Sequence, residues 1–106
     1  MSSWIEVSTI DTLADGAYER FEFDEMEVLV FREGDAVYAI EDLCTHDGAE
    51  LCGGLYINGE IECPRHGARF CVKTGEALSA PAYGQVSTFP TRINDNGVIE
   101  LQLEDT

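Results

Sequence analysis

Apolar, aromatic and β-branched residues come in short runs separated by turn formers, the pattern of strands rather than helices. "YERFEFD" (18–24), "EVLVFRE" (27–33) and "AVYAIED" (36–42) predict three consecutive strands, the last two joined at Glu33-Gly34-Asp35 as in a hairpin. "GEIEC" (59–63) and "RFCVKTG" (69–75) read the same way, as do "STFPTRI" (87–93) and "GVIELQL" (97–103) across Asp95-Asn96-Gly97. Pro90 predicts an edge position for its strand, because it cannot donate to a ladder. The one helical signal is "STIDTLADG" (8–16), where Ser8 or Thr9 would cap a single turn. Trp4, Tyr18, Phe21, Phe23, Phe31 and Phe89 are the expected core aromatics. The fold class predicted is all-β, a sandwich or barrel of antiparallel sheets. A chain of 106 residues supports one domain, 1–106, with a modest core.

One stretch departs from this rhythm. Cys44 to Gly75 holds six of the ten glycines, which predicts loops whose backbone takes positive φ and closely approaches a bound group. It reads as an insertion within the single domain.

Charge narrows the partners. The formal net charge is −15, which argues against nucleic acid and anionic membranes, since both need a basic surface. Such acidity supports solubility and would also steer the chain toward basic protein partners. Arg65, Arg69 and Lys73, three of the six basic residues, fall close together and predict a locally less acidic surface. No run approaches the roughly 18 apolar residues of a membrane span. "MSSWIEVSTI" lacks the basic-then-apolar pattern of a secretory signal, so a cytoplasmic protein is expected.

Candidate chemistry lies in two segments. The chain has two histidines, and each stands beside a cysteine: "LCTHDGAEL" (43–51) and "IECPRHGARF" (61–70). Together they give C-x-H-x16-C-x2-H, with Cys44, His46, Cys63 and His66 as candidate metal ligands. Two thiolates and two imidazoles suit tetrahedral zinc or a binuclear iron–sulfur centre with Cys on one iron and His on the other. Zinc modules usually pair like with like, whereas here each loop offers one of each, which suits two irons. A reducing compartment disfavours disulfides, which makes Cys52 and Cys71 small buried hydrophobes, with a bond between the two as the alternative.

"CTHDGAEL" with "CPRHGARF" resembles the two cluster loops of Rieske-type [2Fe–2S] proteins. The likeness spans essentially the whole chain, and "FCVKTGEALSAPAY" (70–83) is similar to the stretch after the second loop in Rieske ferredoxins of bacterial ring-hydroxylating oxygenase systems. The resemblance implies one [2Fe–2S] cluster, with Cys44 and Cys63 on the inner iron and His46 and His66 on the outer. It also implies a cluster-binding subdomain at roughly 43–83, covered on a third side by the loop containing Pro81. Tyr83 is expected in ordinary loop packing, and Asp47 and Glu50 in solvent.

Departures from the respiratory members of the family carry information. Ala49 and Arg65 stand where those proteins have a bracing disulfide, and Ala68 and Phe70 where they have a serine and a tyrosine that donate to sulfur. Losing two hydroxyl donors removes stabilisation from the reduced state and predicts a potential of about −150 mV, low in the Rieske range. A terminal oxygenase would need a second iron held by two histidines and a carboxylate, and both histidines are already committed. No G-x-G-x-x-G nucleotide fingerprint is present. The resemblance therefore implies a one-electron carrier, not an enzyme, passing electrons from a flavin-dependent ferredoxin reductase to a terminal Rieske oxygenase. The alternative is a Rieske subunit or accessory of another redox system, such as a nitrite reductase small subunit or an iron–sulfur assembly pathway.

Overall fold

A central meander organises the chain. Strands β1 (Ile5–Thr9), β2 (Tyr18–Phe23), β3 (Met26–Glu33) and β4 (Ala36–Glu41) open the molecule. The computed structural model describes residues 4–23, 26–44, 50–65, 67–80 and 84–103. β2, β3 and β4 pair antiparallel in sequence order, and β8 (Thr88–Phe89) adds to the free side of β4.

The apolar run Val28–Phe31 in β3 is buried throughout, which a strand achieves only when both faces of its sheet are covered. Alternation assigns each residue to a side. Val28 and Val30 join Val37, Ala39, Ile99 and Leu101 in one core. Leu29 and Phe31 join Ile40, Ile61 and Phe70 in another, which also takes in Cys44 and Cys63.

The first core is closed by a three-stranded sheet of β1, β10 (Val98–Leu101) and β9 (Thr91–Ile93), with β10 central. β1 was not expected from the sequence; a bulge between Glu6 and Ser8 breaks its register. The expected single turn is present, capped by Thr9 rather than Ser8. Thr9 Oγ1 accepts from the Thr12 amide at 3.2 Å, and the Leu13 amide donates to the Thr9 carbonyl at 2.9 Å. Pro90 lies between β8 and β9, each at the edge of its own sheet. Phe31 and Phe89 are buried as expected, and Tyr18, Phe21 and Phe23 pack partly buried against the cores. Trp4 is not a core residue: it is half-buried, with the Arg92 guanidinium 4.1 Å above its ring.

The second core is closed by a small sheet of β5 (Tyr56–Ile57), β6 (Glu60–Glu62) and β7 (Arg69–Cys71). β5 and β6 turn through Asn58 (φ 56°) and Gly59 (φ 78°), a two-residue hairpin of the left-handed kind. Register separates its faces. Tyr56, Ile61 and Phe70 pair in one row, extended by a bridge from Phe70 to Ala77, and this row packs on the core. The flanking rows, with Ile57, Glu60, Glu62 and Arg69, face outward.

Candidate metal centre

Cys44 and Cys63 enter the same apolar core although nineteen positions separate them, and both are buried. Each stands at the mouth of a loop: Cys44 follows β4, and Cys63 follows β6.

The first loop is tied at its base by a buried carboxylate. Asp42, whose side chain is 0% exposed, accepts from the Leu51 amide at 2.6 Å and the Cys52 amide at 2.9 Å through Oδ1. Its Oδ2 accepts from Arg20 Nε at 2.9 Å. Arg20 reaches on to Glu22 at 2.7 Å and Glu50 at 3.2 Å, so Glu50 is ion-paired rather than simply solvated. Chain entering and chain leaving the loop are thus held by one charge-assisted cluster. Tyr18 adds a second tie, its hydroxyl donating to the Gly54 carbonyl at 2.7 Å and accepting from the Gly53 amide at 3.1 Å.

Gly54 explains how closely this exit packs. A Cβ there would fall 1.9 Å from the Glu62 carbonyl oxygen, so only glycine lets the backbone lie on β6 next to Cys63. The second loop is closed by two backbone bonds, Cys63 N–H to Ala68 O at 2.7 Å and Gly67 N–H to Cys63 O at 3.0 Å. Gly67 takes φ 77°, which a side chain would resist. Ala68 and Phe70 are both fully buried beside Cys63, so the two positions where hydroxyl donors would stand are apolar.

His46, His66, Pro81, Tyr83, Asp47 and Ala49 lie outside the described residues. Among the described residues no group of three metal-binding side chains is gathered. The described donors nevertheless fit a buried cluster: two sulfurs, at the mouths of two loops, in one water-excluded core. Cys52 and Cys71 are half-buried rather than fully buried, Cys52 packing against the second core, and no disulfide joins them. Burial acts to raise the Cys71 thiol, but hydrogen bonds from the Thr74 hydroxyl and from the Thr74 and Lys73 amides take it below the ordinary value. The expected basic patch is largely engaged. Arg69 pairs with Glu60 at 3.2 Å, and the Lys73 ammonium lies 5.8 Å from the centre of the Tyr38 ring.

Asp42 and Arg20 were not singled out in the sequence; Gly54 is one of the six glycines expected to permit close approach, and what it approaches is the Glu62 backbone. An acid closing an apolar strand looks like an ordinary strand end until the amides it accepts from are brought beside it.

The antiparallel sheets, with two buried cysteines at adjacent loop mouths, define a small β domain able to hold a metal or iron–sulfur group. The chain belongs to the Rieske [2Fe–2S] domain family, whose model matches residues 3–90. It is 32% identical over 102 residues to the ferredoxin component of the naphthalene 1,2-dioxygenase/salicylate 5-hydroxylase systems of Ralstonia sp., covering 96% of this chain and 97% of that one. Its structure matches a chain of the complex of reduced oxygenase and oxidised ferredoxin in carbazole 1,9a-dioxygenase. That match has a TM-score of 0.90 at 32% identity, over 97% of this chain and 95% of that chain. The ferredoxin of carbazole 1,9a-dioxygenase from Nocardioides aromaticivorans IC177 matches with a TM-score of 0.87 at 37% identity, over 94% and 97% of the two chains.

Proposed function

We propose that the protein is a Rieske ferredoxin, a one-electron carrier that takes electrons from a flavin-dependent reductase and delivers them to a terminal oxygenase. The observation that carries this is the convergence of Cys44 and Cys63 in one buried core, within a chain similar along its length to oxygenase-system ferredoxins. Cys44 and Cys63 would hold the inner iron, and His46 and His66 the outer one. When bound, such a cluster accepts and returns a single electron with little change in charge.

The chain's own part is to position and insulate. Asp42 and Tyr18 fix the exit of the first loop, and Gly54 brings it against the strand that leads to Cys63. Leu51, Phe70 and Val72 keep water from the two thiolates. Ala68 and Phe70 provide no hydroxyl to the reduced state, which favours a potential near the low end of the family range, about −150 mV. A cytoplasmic setting belongs to this reading. No helix among the described residues is long and apolar enough to cross a membrane.

The test is substitution of each proposed ligand in natively produced protein, read by iron and sulfide content, visible absorption and electron paramagnetic resonance after reduction. Cys44→Ser and Cys63→Ser should abolish the red-brown chromophore, and His46→Cys should change the spectrum while retaining iron. A zinc-only preparation, or an unaltered spectrum in His46→Cys, rejects the ligand assignment. A voltammetric midpoint clearly positive of zero rejects the low-potential expectation.

A further inference from the structure

Four large apolar side chains are notably exposed among the described residues, and three of them share one face, Leu55 and Ile57 side by side and Leu78 across Glu62 and Arg69. Leu55 is 60% exposed, Ile57 53% and Leu78 40%. Register places all three on the outer face of the small sheet. Ile57 pairs with Glu60, the Leu55 carbonyl accepts from the Glu62 amide, and the Leu78 amide donates to the Arg69 carbonyl beside the Phe70–Ala77 bridge. Leu55 and Ile57 line a shallow groove of about 100 Å³ with Glu60, Glu62 and Arg69. At roughly 30 Å³ per water, that is room for about three waters, the size of one aliphatic side chain. Leu55 and Ile57, on either side of Tyr56 and bordered by Glu60, Glu62 and Arg69, form a small apolar spot that a partner side chain could cover.

Charge decides what covers it. The rim carries Glu60 and Glu62, and its one guanidinium, Arg69, is already held by Glu60. Elsewhere cations are equally engaged: Arg20 by Asp42, Glu22 and Glu50, Arg32 by the Ile10, Leu13 and Gly34 carbonyls, Arg92 by Glu100, and Lys73 over Tyr38. Five of the six basic residues are thus already engaged by carboxylates, carbonyls or a ring, on a chain of net charge −15. A second copy would bring the same acidic rim against this one, which like-charge repulsion opposes. A basic-rimmed protein would be drawn to it.

Position decides what that protein does. Glu62 immediately precedes Cys63, and Arg69 immediately follows Ala68, which closes the same loop. A partner seated on this face therefore touches the strands that carry one proposed iron ligand.

We infer that the outer face of β5, β6 and β7 is a docking surface for a protein redox partner that inserts an apolar side chain between flanking lysines or arginines. The inference rests on the carrier reading and adds a location and a partner chemistry to it.

The experiment compares wild-type holoprotein with Leu55→Ser/Ile57→Ser. Ile10→Ser serves as a control, since Ile10 is exposed beside the opposite sheet, where its amide bonds Gly97. Electron transfer is followed separately from the reductase to the ferredoxin and from the ferredoxin to the oxygenase of the native cell, varying ferredoxin concentration. The double variant should keep its visible spectrum and potential, while KM for ferredoxin rises about tenfold in at least one arm, as expected for losing part of the burial of two aliphatic side chains. Ile10→Ser should leave both KM values unchanged. Carbodiimide cross-linking of the wild-type protein needs no variant and should join Glu60 or Glu62 to a partner lysine. Unchanged KM in both arms, or cross-links confined to other carboxylates, overturns the docking surface while leaving the carrier reading intact. A wild-type dimer that the double variant dissociates assigns the face to self-association and also overturns it. Failure of the wild type to carry electrons at all defeats the carrier reading and this inference together.

Discussion

The two sides of the central sheet are built by different means. On the side of β1, β9 and β10, strands of three to five residues pack on a core of Val28, Val30, Ile99 and Leu101, and apolar burial accounts for most of the arrangement, with polar ties such as Thr91 Oγ1 to the Val37 carbonyl at its margin. On the side of β5, β6 and β7, strands are only two or three residues long, and what fixes the backbone is a set of individual contacts. Asp42 bridges the ends of the first loop, Tyr18 ties its exit, and Gly54 permits the contact with Glu62. A two-stranded hairpin is marginal on its own, so a small sheet of this kind depends on such ties and on whatever its thiolates hold. One side is stable by burial and tolerant of local change. The other is specified residue by residue, as a site must be to hold a cluster in fixed geometry.

The largest expected effect should separate these two designs most sharply. Leu101→Ala empties a fully buried position in the first core and should cost about 2–5 kcal/mol of unfolding free energy. Its visible spectrum per folded molecule should stay that of wild type. Asp42→Ala leaves the Leu51 and Cys52 amides without their acceptor, at about 1–3 kcal/mol for each orphaned group, so a loss of about 3 kcal/mol is expected. Here the chromophore should bleach at denaturant concentrations where far-ultraviolet dichroism still reports native strands. Urea titrations followed by both signals decide the matter. Coincident bleaching and unfolding in Asp42→Ala, or early bleaching in Leu101→Ala, would erase the distinction.

How much of this was legible follows the same division. The strands at 18–23, 26–33 and 36–41, and the hairpin closing at Gly97, follow from runs of apolar residues between turn formers, because burial on a sheet writes itself into the sequence. The bulged strand Ile5–Thr9 escaped because a bulge breaks the alternation that reveals a strand. β5 is only two residues long, yet Asn58-Gly59 ahead of "EIEC" is a hairpin signal of the strongest local kind and would have disclosed it. At the site, Cys44 and Cys63 were legible because thiols beside the chain's two histidines are chemically conspicuous. Asp42 was not, since its role depends on long-range contacts with Arg20, Leu51 and Cys52 that no local pattern encodes. Trp4 was misassigned to the core because bulk and apolarity do not reveal a guanidinium stacked on the ring.

The smallest effect concerns the aromatic cluster where the small sheet meets the central one. Tyr56 packs edge-on against Phe31 at 4.7 Å between ring centres and against Tyr18 at 6.1 Å. Its hydroxyl is buried without a hydrogen bond of ordinary geometry. Burial, reinforced by the nearby Glu33 carboxylate, pushes the Tyr56 phenol well above its ordinary value of 10.0, and burial also raises Tyr18. A raised phenol means that the unfolded chain loses its proton first. The stability tied to neutral Tyr56 is therefore complete below pH about 10 and declines above it, by at most about 1.4 kcal/mol per pH unit for each such group. Tyr56→Phe removes this linkage and a buried hydroxyl without a hydrogen bond of ordinary geometry. At pH 7 the variant should range from unchanged to about 1 kcal/mol more stable than wild type, and its advantage should widen as pH rises above about 10. Urea unfolding at pH 7 and pH 11 measures both. A variant less stable at pH 7, with no relative gain at pH 11, would mean that the hydroxyl is a structural tie like those of Asp42 and Tyr18, and that specific polar contacts extend to the floor of the small sheet.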